Sequence, residues 1–504
     1  MIHSVKHATT NNGTNIAIGV FWGILAIGIL LRLLGISSSP GHWQDEVQIV
    51  EYGRGIIDAP SDLLVYTPVQ GAESVGPIWR VGLFAQELSC RVFGHVGARI
   101  PPLIYLLVST ILLRYIVVRR TNAQWMATIT ALSWFCCATL VKSVSAGRLD
   151  SLVFMLLWAT LVVLSSEWAE RKPCVSFAVA GCLSALCVFS WATAILLAPL
   201  FVWGMIDYSS RQDVQWRERI RPWIAYAVAG MAVSLIVLSP SLLHYDVMMQ
   251  RLSFTASTHA SGSSGAIMDF FREFRAFPYL YLLAIPCLFI RRRIDVLTIG
   301  AMIVIVLFAC TRAYIFRVLY FLPYAFLSFV TLYAESKATS ARKVLLVVLT
   351  CLASISFLRV ALCKNIFAYA LRGANDEVML ENALNQAIGT DANIYVADYS
   401  VYFAGRKLGW HQYRTFHRSS TPFDLPPEIV GKVDWFIGSA EQARKYDQKL
   451  REAGFAECAS IEQQRFPQWV ESKWFKCMWR FCLAVEHPYG PYSIWRKVER
   501  GGNE

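Results

Sequence analysis

The chain has 504 residues, 55% of them hydrophobic and only 16% charged. Soluble domains carry roughly a quarter charged residues, so a soluble fold throughout is excluded, in agreement with a mean hydropathy of +0.43. The net charge of +12 does not indicate nucleic acid, because Lys and Arg gather in short loops between apolar runs, where they hold loops in the cytoplasm.

Apolar runs recur from Ile16 to about Arg359, and about 20 such residues cross the ~30 Å hydrocarbon layer. They predict an α-helical polytopic membrane protein with about eleven transmembrane helices. The spans fall at 16–36, 98–118, 124–141, 149–166, 174–189, 191–206, 221–240, 277–290, 294–311, 316–333 and 343–361. The first lacks a small-residue cleavage site and reads as a retained helix. Three runs are short, 277–290 among them, as expected of tilted, half-buried or re-entrant segments.

Arg119-Arg120, Arg171-Lys172, Arg211 to Arg221, Arg291-Arg292-Arg293 and Lys337 to Lys343 all fall on one side, placed in the cytoplasm. The opposite side then holds 37–97, the turn from Lys142 to Asp150, 241–276, the turn near Arg312 and the tail. Two pieces of loop 37–97, Glu46 to Ile57 and Pro77 to Phe93, have helical spacing but are too short or too charged to span. Both are expected along the membrane surface. The stretch from Ser257 to Gly265 reads as a linker or a loop ordered by ligand.

The chain divides into a transmembrane domain, 1–361, and a C-terminal soluble α/β domain, 362–504. In the latter, Asn393 to Ala397 and Val433 to Ile437 have strand character, and Ala440 to Ala453 helical character. Thirteen cysteines are present, most inside apolar runs as small apolar side chains. Pairing among Cys458, Cys477 and Cys482 is open, depending on whether their compartment is oxidising.

Three features carry candidate chemistry. Asp45-Glu46 follows the first span. Asp45 either caps the next helix, with Gln48 completing a capping box, or serves as a general base; one residue can do both. Arg148-Leu149-Asp150 opens a span, either as an interfacial pair or as functional ionisable groups at membrane depth. Arg312, Tyr314, Arg317 and Tyr320 flank a late span, by snorkelling and aromatic-belt placement or as a phosphate site.

The order of these features resembles the C-type glycosyltransferase (GT-C) superfamily, in the branch of protein O-mannosyltransferases and bacterial aminoarabinose transferases. Asp45-Glu46 matches its acidic pair. Gly76-Pro77 through Phe93-Gly94 matches its Pro-containing surface helix, and Ala98-Arg99-Ile100-Pro101 the start of its second span. Arg148-Leu149-Asp150 matches its Arg-x-Asp, and Arg317 to Pro323, more loosely, its late Arg-Tyr-x-x-Pro-like span. The resemblance is strongest over 1–206, weaker over 207–361 and architectural in the tail. Two departures stand out: Val75-Gly76-Pro77 lacks a lysine found in many relatives, and Gln48 stands where many are basic. Both basic groups are associated with the lipid phosphate; Arg80 or Lys142 are the substitutes available.

The resemblance implies an inverting membrane glycosyltransferase that takes a sugar from a polyprenyl-phosphate donor to an acceptor hydroxyl. The implied setting is the outer face of a bacterial cytoplasmic membrane. Asp45 is the expected base, with Glu46 and Asp150 in the catalytic set. Arg148, Arg80, Lys142, Arg312, Arg317 and Tyr320 are expected to bind substrate. Expected partners are membrane lipid, the lipid-linked sugar donor, and a glycan, lipid or protein acceptor. A divalent metal is open, since two adjacent carboxylates define no coordination set. The alternatives are a polytopic transporter or lipid flippase, opposed by the surface helices and the absence of repeats, and a catalytically inactive relative.

Overall fold

The computed structural model describes residues 12–37, 42, 44–58, 81–211, 216–243, 245, 246, 249, 295–310, 318–414, 427–482 and 488–498. The protein is a polytopic helical membrane protein with a small mixed sheet near its C-terminal end. In the membrane part the helices are α1 Asn12–Gly35, α2 Gln44–Asp58, α3 Leu83–Phe93, α4 Ile100–Thr121, α5 Gln124–Phe135, α6 Ala138–Ser145 and α7 Asp150–Ser165. They continue with α8 Glu167–Arg171, α9 Pro173–Val188, α10 Ala198–Arg211, α11 Trp216–Leu242, α12 Val296–Cys310, α13 Leu322–Glu335 and α14 Thr339–Ser356.

Among the described residues, five helices are long and apolar enough to cross a membrane, one bent pair adds a broken span, and four apolar helices are shorter. Each expected span falls on one of these helices except 277–290, which lies outside the described residues. α1 shows how such helices divide their surface. Ala17, Phe21 and Leu25, four residues apart, are buried, while Ile16, Trp22, Ile27 and Leu30 are exposed. In a bilayer that outer stripe meets lipid tails rather than water.

The run expected at 124–141 is broken between α5 and α6, which bend by 46°. Arg32 of α1 explains the break: its Nη2 donates to the Phe135 carbonyl at 2.7 Å, and its guanidinium lies 4.5 Å from the Phe135 ring centroid. A side chain that takes a carbonyl out of the helical ladder is a recognised cause of a kink. Just before the kink, Trp134 packs edge-on against Phe154, Trp158 and Phe326, joining α5, α7 and α13 in the core.

Both short helices expected in the 37–97 loop are present, as α2 and α3. α3 begins at Leu83 rather than near Pro77, because Gly82 adopts φ +89°, a left-handed conformation that an α-helix cannot continue through; residues 77–80 lie outside the described part. The inner face of α2 carries Glu46, Val47, Val50 and Glu51, and that of α3 carries Leu83, Gln86, Glu87 and Cys90. The spacing is that of amphipathic helices, but carboxylates lie on the buried faces. Buried charges persist only with partners.

The helical run of α14 continues without interruption to Ala370, the last turns forming α15 Asn365–Ala370. The soluble domain follows, with α16 Glu377–Ala387, β1 Asn393–Val396, α17 Tyr402–Lys407, β2 His411–Tyr413, α18 Pro427–Val430, β3 Trp435–Ser439, α19 Ala440–Glu452, β4 Phe455–Ile461, α20 Lys473–Cys482 and β5 Tyr492–Lys497. Strand order is β2-β1-β3-β5-β4. β2, β1 and β3 are parallel, while β5 is antiparallel to β3 and β4. Leu380 and Leu384 of α16 cover one face over Ile394, Val396 and Ile437; Ala443 and Leu450 of α19 cover the other over Tyr395 and Phe436. The expected strands and the helix from Ala440 are all present. A capping box between Ser439 and Gln442 fixes the start of α19. Cys458 and Cys477 are unpaired; the side chain of Cys482 lies outside the described residues.

Two of the basic loops, at Arg119-Arg120 and at Arg171-Lys172, can be followed in the described residues. Arg119 and Arg171 pair with Glu167, at 3.4 and 3.7 Å, and Arg120 pairs with Asp207 at 2.7 Å, so these loops share one end of the bundle. α2, α3, the 142–150 turn and the soluble domain meet at the other.

Candidate active site

α2 begins at Gln44, so Asp45 lies in its first turn rather than at the cap position before it. Its carboxylate is engaged elsewhere: Oδ2 accepts from Nη1 of Arg148, and the side chain remains 23% exposed. Arg148 in turn donates from Nε to Asp150 Oδ2 at 2.7 Å. Asp150 is fully buried and accepts from Ser143 Oγ at 2.7 Å and from Tyr320 hydroxyl at 2.9 Å. The Arg148 guanidinium also lies 5.1 Å from the Trp191 ring centroid. Asp150 is thus oriented from three directions and fixes Arg148, which meets the one carboxylate of the set that reaches solvent.

Backbone geometry enforces this arrangement. Gly147 has φ +63°, and a Cβ there would lie 2.8 Å from Glu46 Cγ. Only glycine fits so close an approach in that conformation. The turn at Ala146-Gly147 therefore presses on α2, and Gln86 of α3 donates to both the Gly147 and Ala98 carbonyls.

Glu46 points away from Asp45. It is fully buried, with Arg99 Nε 2.8 Å from Oε1 and Arg99 Nη2 3.1 Å from Oε2. His42 Nδ1 is 3.3 Å from Oε2 on the other side. Burial favours the neutral acid, but Arg99 and His42 outweigh it and lower the Glu46 carboxyl to about 2. His42 reaches Glu377 at the start of α16 through Nε2, also at 3.3 Å. Burial would lower the His42 imidazole, yet the Glu377 and Glu46 carboxylates together raise it. Arg99, Glu46, His42 and Glu377 thus bind α2 to the start of α4 and to the soluble domain.

Two further contacts fasten that domain. Arg406 of α17 makes a double contact with Glu87, 2.7 Å to each oxygen, and the Tyr402 hydroxyl donates to Glu51. These account for the carboxylates on the inner faces of α2 and α3.

Of the residues singled out in the sequence, Asp45, Arg148, Asp150 and Tyr320 form one connected set, and Glu46 lies directly behind it. Lys142 is half-buried on α6, beside Ser143. Arg80, Arg312 and Arg317 lie outside the described residues. The carboxylates of Asp45 and Glu46 diverge, and among the described residues no three His, Cys, Asp or Glu side chains converge as a metal set. His42, Glu51, Glu87, Glu377, Tyr402 and Arg406 were not legible in advance. A charged residue at an apolar position of α2 or α3 was the available hint for Glu51 and Glu87. His42 and Glu377 have no local pattern that marks them.

No family model and no curated protein matches the chain by sequence. Solved structures do match in fold. The chain is similar to ArnT from Cupriavidus metallidurans in the apo state, with TM-score 0.55 and 13% identity over 90% of this chain and 97% of that one. The same enzyme bound to undecaprenyl phosphate gives TM-score 0.57 and 12% identity, covering 96% and 98%. The Archaeoglobus fulgidus oligosaccharyltransferase AglB, in complex with an inhibitory peptide and a dolichol-phosphate, gives TM-score 0.55 and 10% identity, covering 96% and 88%. The chain therefore has the fold of the C-type membrane glycosyltransferases. ArnT, an aminoarabinose transferase, and AglB are two solved structures that share it over most of this chain.

Proposed function

We propose that the protein is a membrane glycosyltransferase that moves a sugar from a polyprenyl-phosphate donor to an acceptor hydroxyl, with Asp45 as general base. One observation carries this reading. Asp45, the partly exposed carboxylate of the connected set, is aimed by Arg148 from the end of the bundle where the soluble domain docks. The shared fold supports it, since ArnT is seen with undecaprenyl phosphate and AglB with a dolichol-phosphate.

The physical logic is direct. A lipid-linked donor keeps its tail in the bilayer, so its phosphate and sugar lie at the membrane face. Asp45 takes the proton of the acceptor hydroxyl as that oxygen bonds to the anomeric carbon. The bond from that carbon to the phosphate oxygen breaks, and its electron pair leaves with the phosphate. The face attacked is opposite the leaving group, so the configuration inverts. Asp150 and Tyr320 act through Arg148, and Glu46 through the placement of α2. Arg148, Arg80, Lys142, Arg312 and Arg317 are the cationic groups proposed for the donor, since preorganised charge at a leaving group is a large catalytic effect. Membrane lipid, the lipid-linked donor and a glycan, lipid or protein acceptor are the partners of this reaction. The face is proposed as the outer one of a bacterial cytoplasmic membrane, from the basic loops at the opposite end. The two-domain division at 361 is retained as part of the proposal.

Turnover of radiolabelled lipid-linked sugar in membranes containing the full chain tests the reading. Release of free polyprenyl phosphate with labelled acceptor is expected. Movement of intact donor across the bilayer, with its sugar bond unbroken, would assign the protein to transport instead.

A further inference from the structure

β1 and β2 run in the same direction, so their carboxyl ends share one edge of the sheet. Past β1 the chain turns through Asp398, Tyr399 and Ser400. The turn is fixed by Asp398, which accepts from the Ser400 amide at 2.9 Å and the Ser400 hydroxyl at 2.6 Å. Tyr399 packs against the cluster that holds Val47 and Val50 of α2, and lies close enough to Asp45 to feel its charge. Past β2 comes Arg414, whose guanidinium lies 3.3 Å from the Tyr399 ring centroid. Its Nη1 donates to the Val396 carbonyl at the end of β1, at 3.2 Å. A guanidinium held over an aromatic ring and tied to a strand end is ordered in advance for an oxyanion. The carboxyl edge of parallel strands is also where open α/β sheets bind ligands.

Charge at the membrane face gives this placement its meaning. Two carboxylates, Asp45 and Asp150, share the one guanidinium of Arg148. An anionic phosphate arriving there gains from a cation beyond Arg148. Position 48 on α2, one turn from Asp45, offers only the neutral Gln48.

We propose that Arg414, stacked on Tyr399 at the carboxyl end of β2, binds a phosphate oxygen of the lipid-linked donor, so that the soluble domain completes the donor site beside Asp45. This inference rests on the glycosyltransferase reading above, and its test separates the two.

The probe is undecaprenyl phosphate, titrated into the full chain in detergent micelles, with inorganic phosphate as a second arm. Loss of a charge-assisted contact is expected to weaken undecaprenyl phosphate binding by Arg414→Gln about ten- to a hundredfold. Arg414→Lys keeps the charge without the guanidinium fork and should fall in between. Arg451→Gln, an exposed arginine at the end of α19, should bind like wild type. Equal affinity of wild type, Arg414→Gln and Arg414→Lys overturns the inference and leaves the glycosyltransferase reading standing. If Arg414→Gln does not fold, Arg414→Lys decides: weaker binding supports the inference and unchanged binding overturns it. Arg414-dependent binding of inorganic phosphate without any lipid binding overturns the donor assignment. A wild-type chain that neither binds undecaprenyl phosphate nor turns over lipid-linked sugar overturns the functional reading and the inference with it.

Discussion

Arg148 holds Asp45 and Asp150 at once, donating from Nη1 to the first and, at 2.7 Å, from Nε to the second. The arrangement sets the cost of losing each member. Removing Arg148 leaves Asp150 as a buried carboxylate with only the Ser143 and Tyr320 hydroxyls. Breaking a buried pair in this way costs about 3–5 kcal/mol. Arg148→Ala is therefore expected to be poorly folded as well as inactive. Arg148→Ala combined with Asp150→Asn should recover folding but not transfer. Thermal melting in detergent beside a transfer assay checks both; recovery of activity in the double variant would contradict the role given to Arg148.

Arg99 and Glu46 form a second pair, both almost wholly buried. Arg99→Gln removes the guanidinium that holds both Glu46 oxygens and should cost about 3–5 kcal/mol. Glu46→Gln together with Arg99→Gln should cost less than the sum of the single changes, by at least about 1 kcal/mol. Additive losses would mean that the two side chains do not act as a pair.

His42 and Glu46 give the docked soluble domain a pH dependence with two limbs. His42, raised above its ordinary 6.5 by Glu377 and Glu46 against the effect of burial, stabilises fully below about 6.5. That contribution is lost as the pH rises through the folded value. Glu46, held at about 2 instead of 4.5 by Arg99 and His42 despite burial, stabilises fully above 4.5 and loses its contribution as the pH falls toward 2. Stability is expected to be greatest between about 4.5 and 6.5. Melting of wild type against His42→Gln from pH 4 to pH 9 is the check. A wild-type decline on the alkaline side that His42→Gln lacks is expected; parallel curves would count against it.

Much of this architecture was legible because its causes are local. Apolar runs and basic loops depend on residue type alone, so helices formed wherever the described residues include an expected span. Asp45, Arg148, Asp150 and Tyr320 stood out because ionisable or polar groups beside apolar runs are conspicuous. What could not be read is what depends on contacts far apart in the chain. The break between α5 and α6 comes from Arg32, 103 residues away from Phe135. The divergence of Asp45 and Glu46, adjacent in sequence, follows from the helical turn that sends one to Arg148 and the other to Arg99. His42 joins Glu46 of α2 and Glu377 of α16, and neither its neighbours nor its spacing announces that.

The most direct measurement is sugar transfer by Asp45→Asn. Asparagine keeps the size of the side chain and an oxygen that accepts from Arg148, so insertion and melting should stay close to wild type. It cannot take up a proton at neutral pH. Loss of a general base typically lowers the rate by about 10²–10⁴. Turnover of radiolabelled lipid-linked sugar by the purified, folded variant should fall by that factor, with binding of undecaprenyl phosphate retained. Transfer by Asp45→Asn at the wild-type rate would show that Asp45 is not the base.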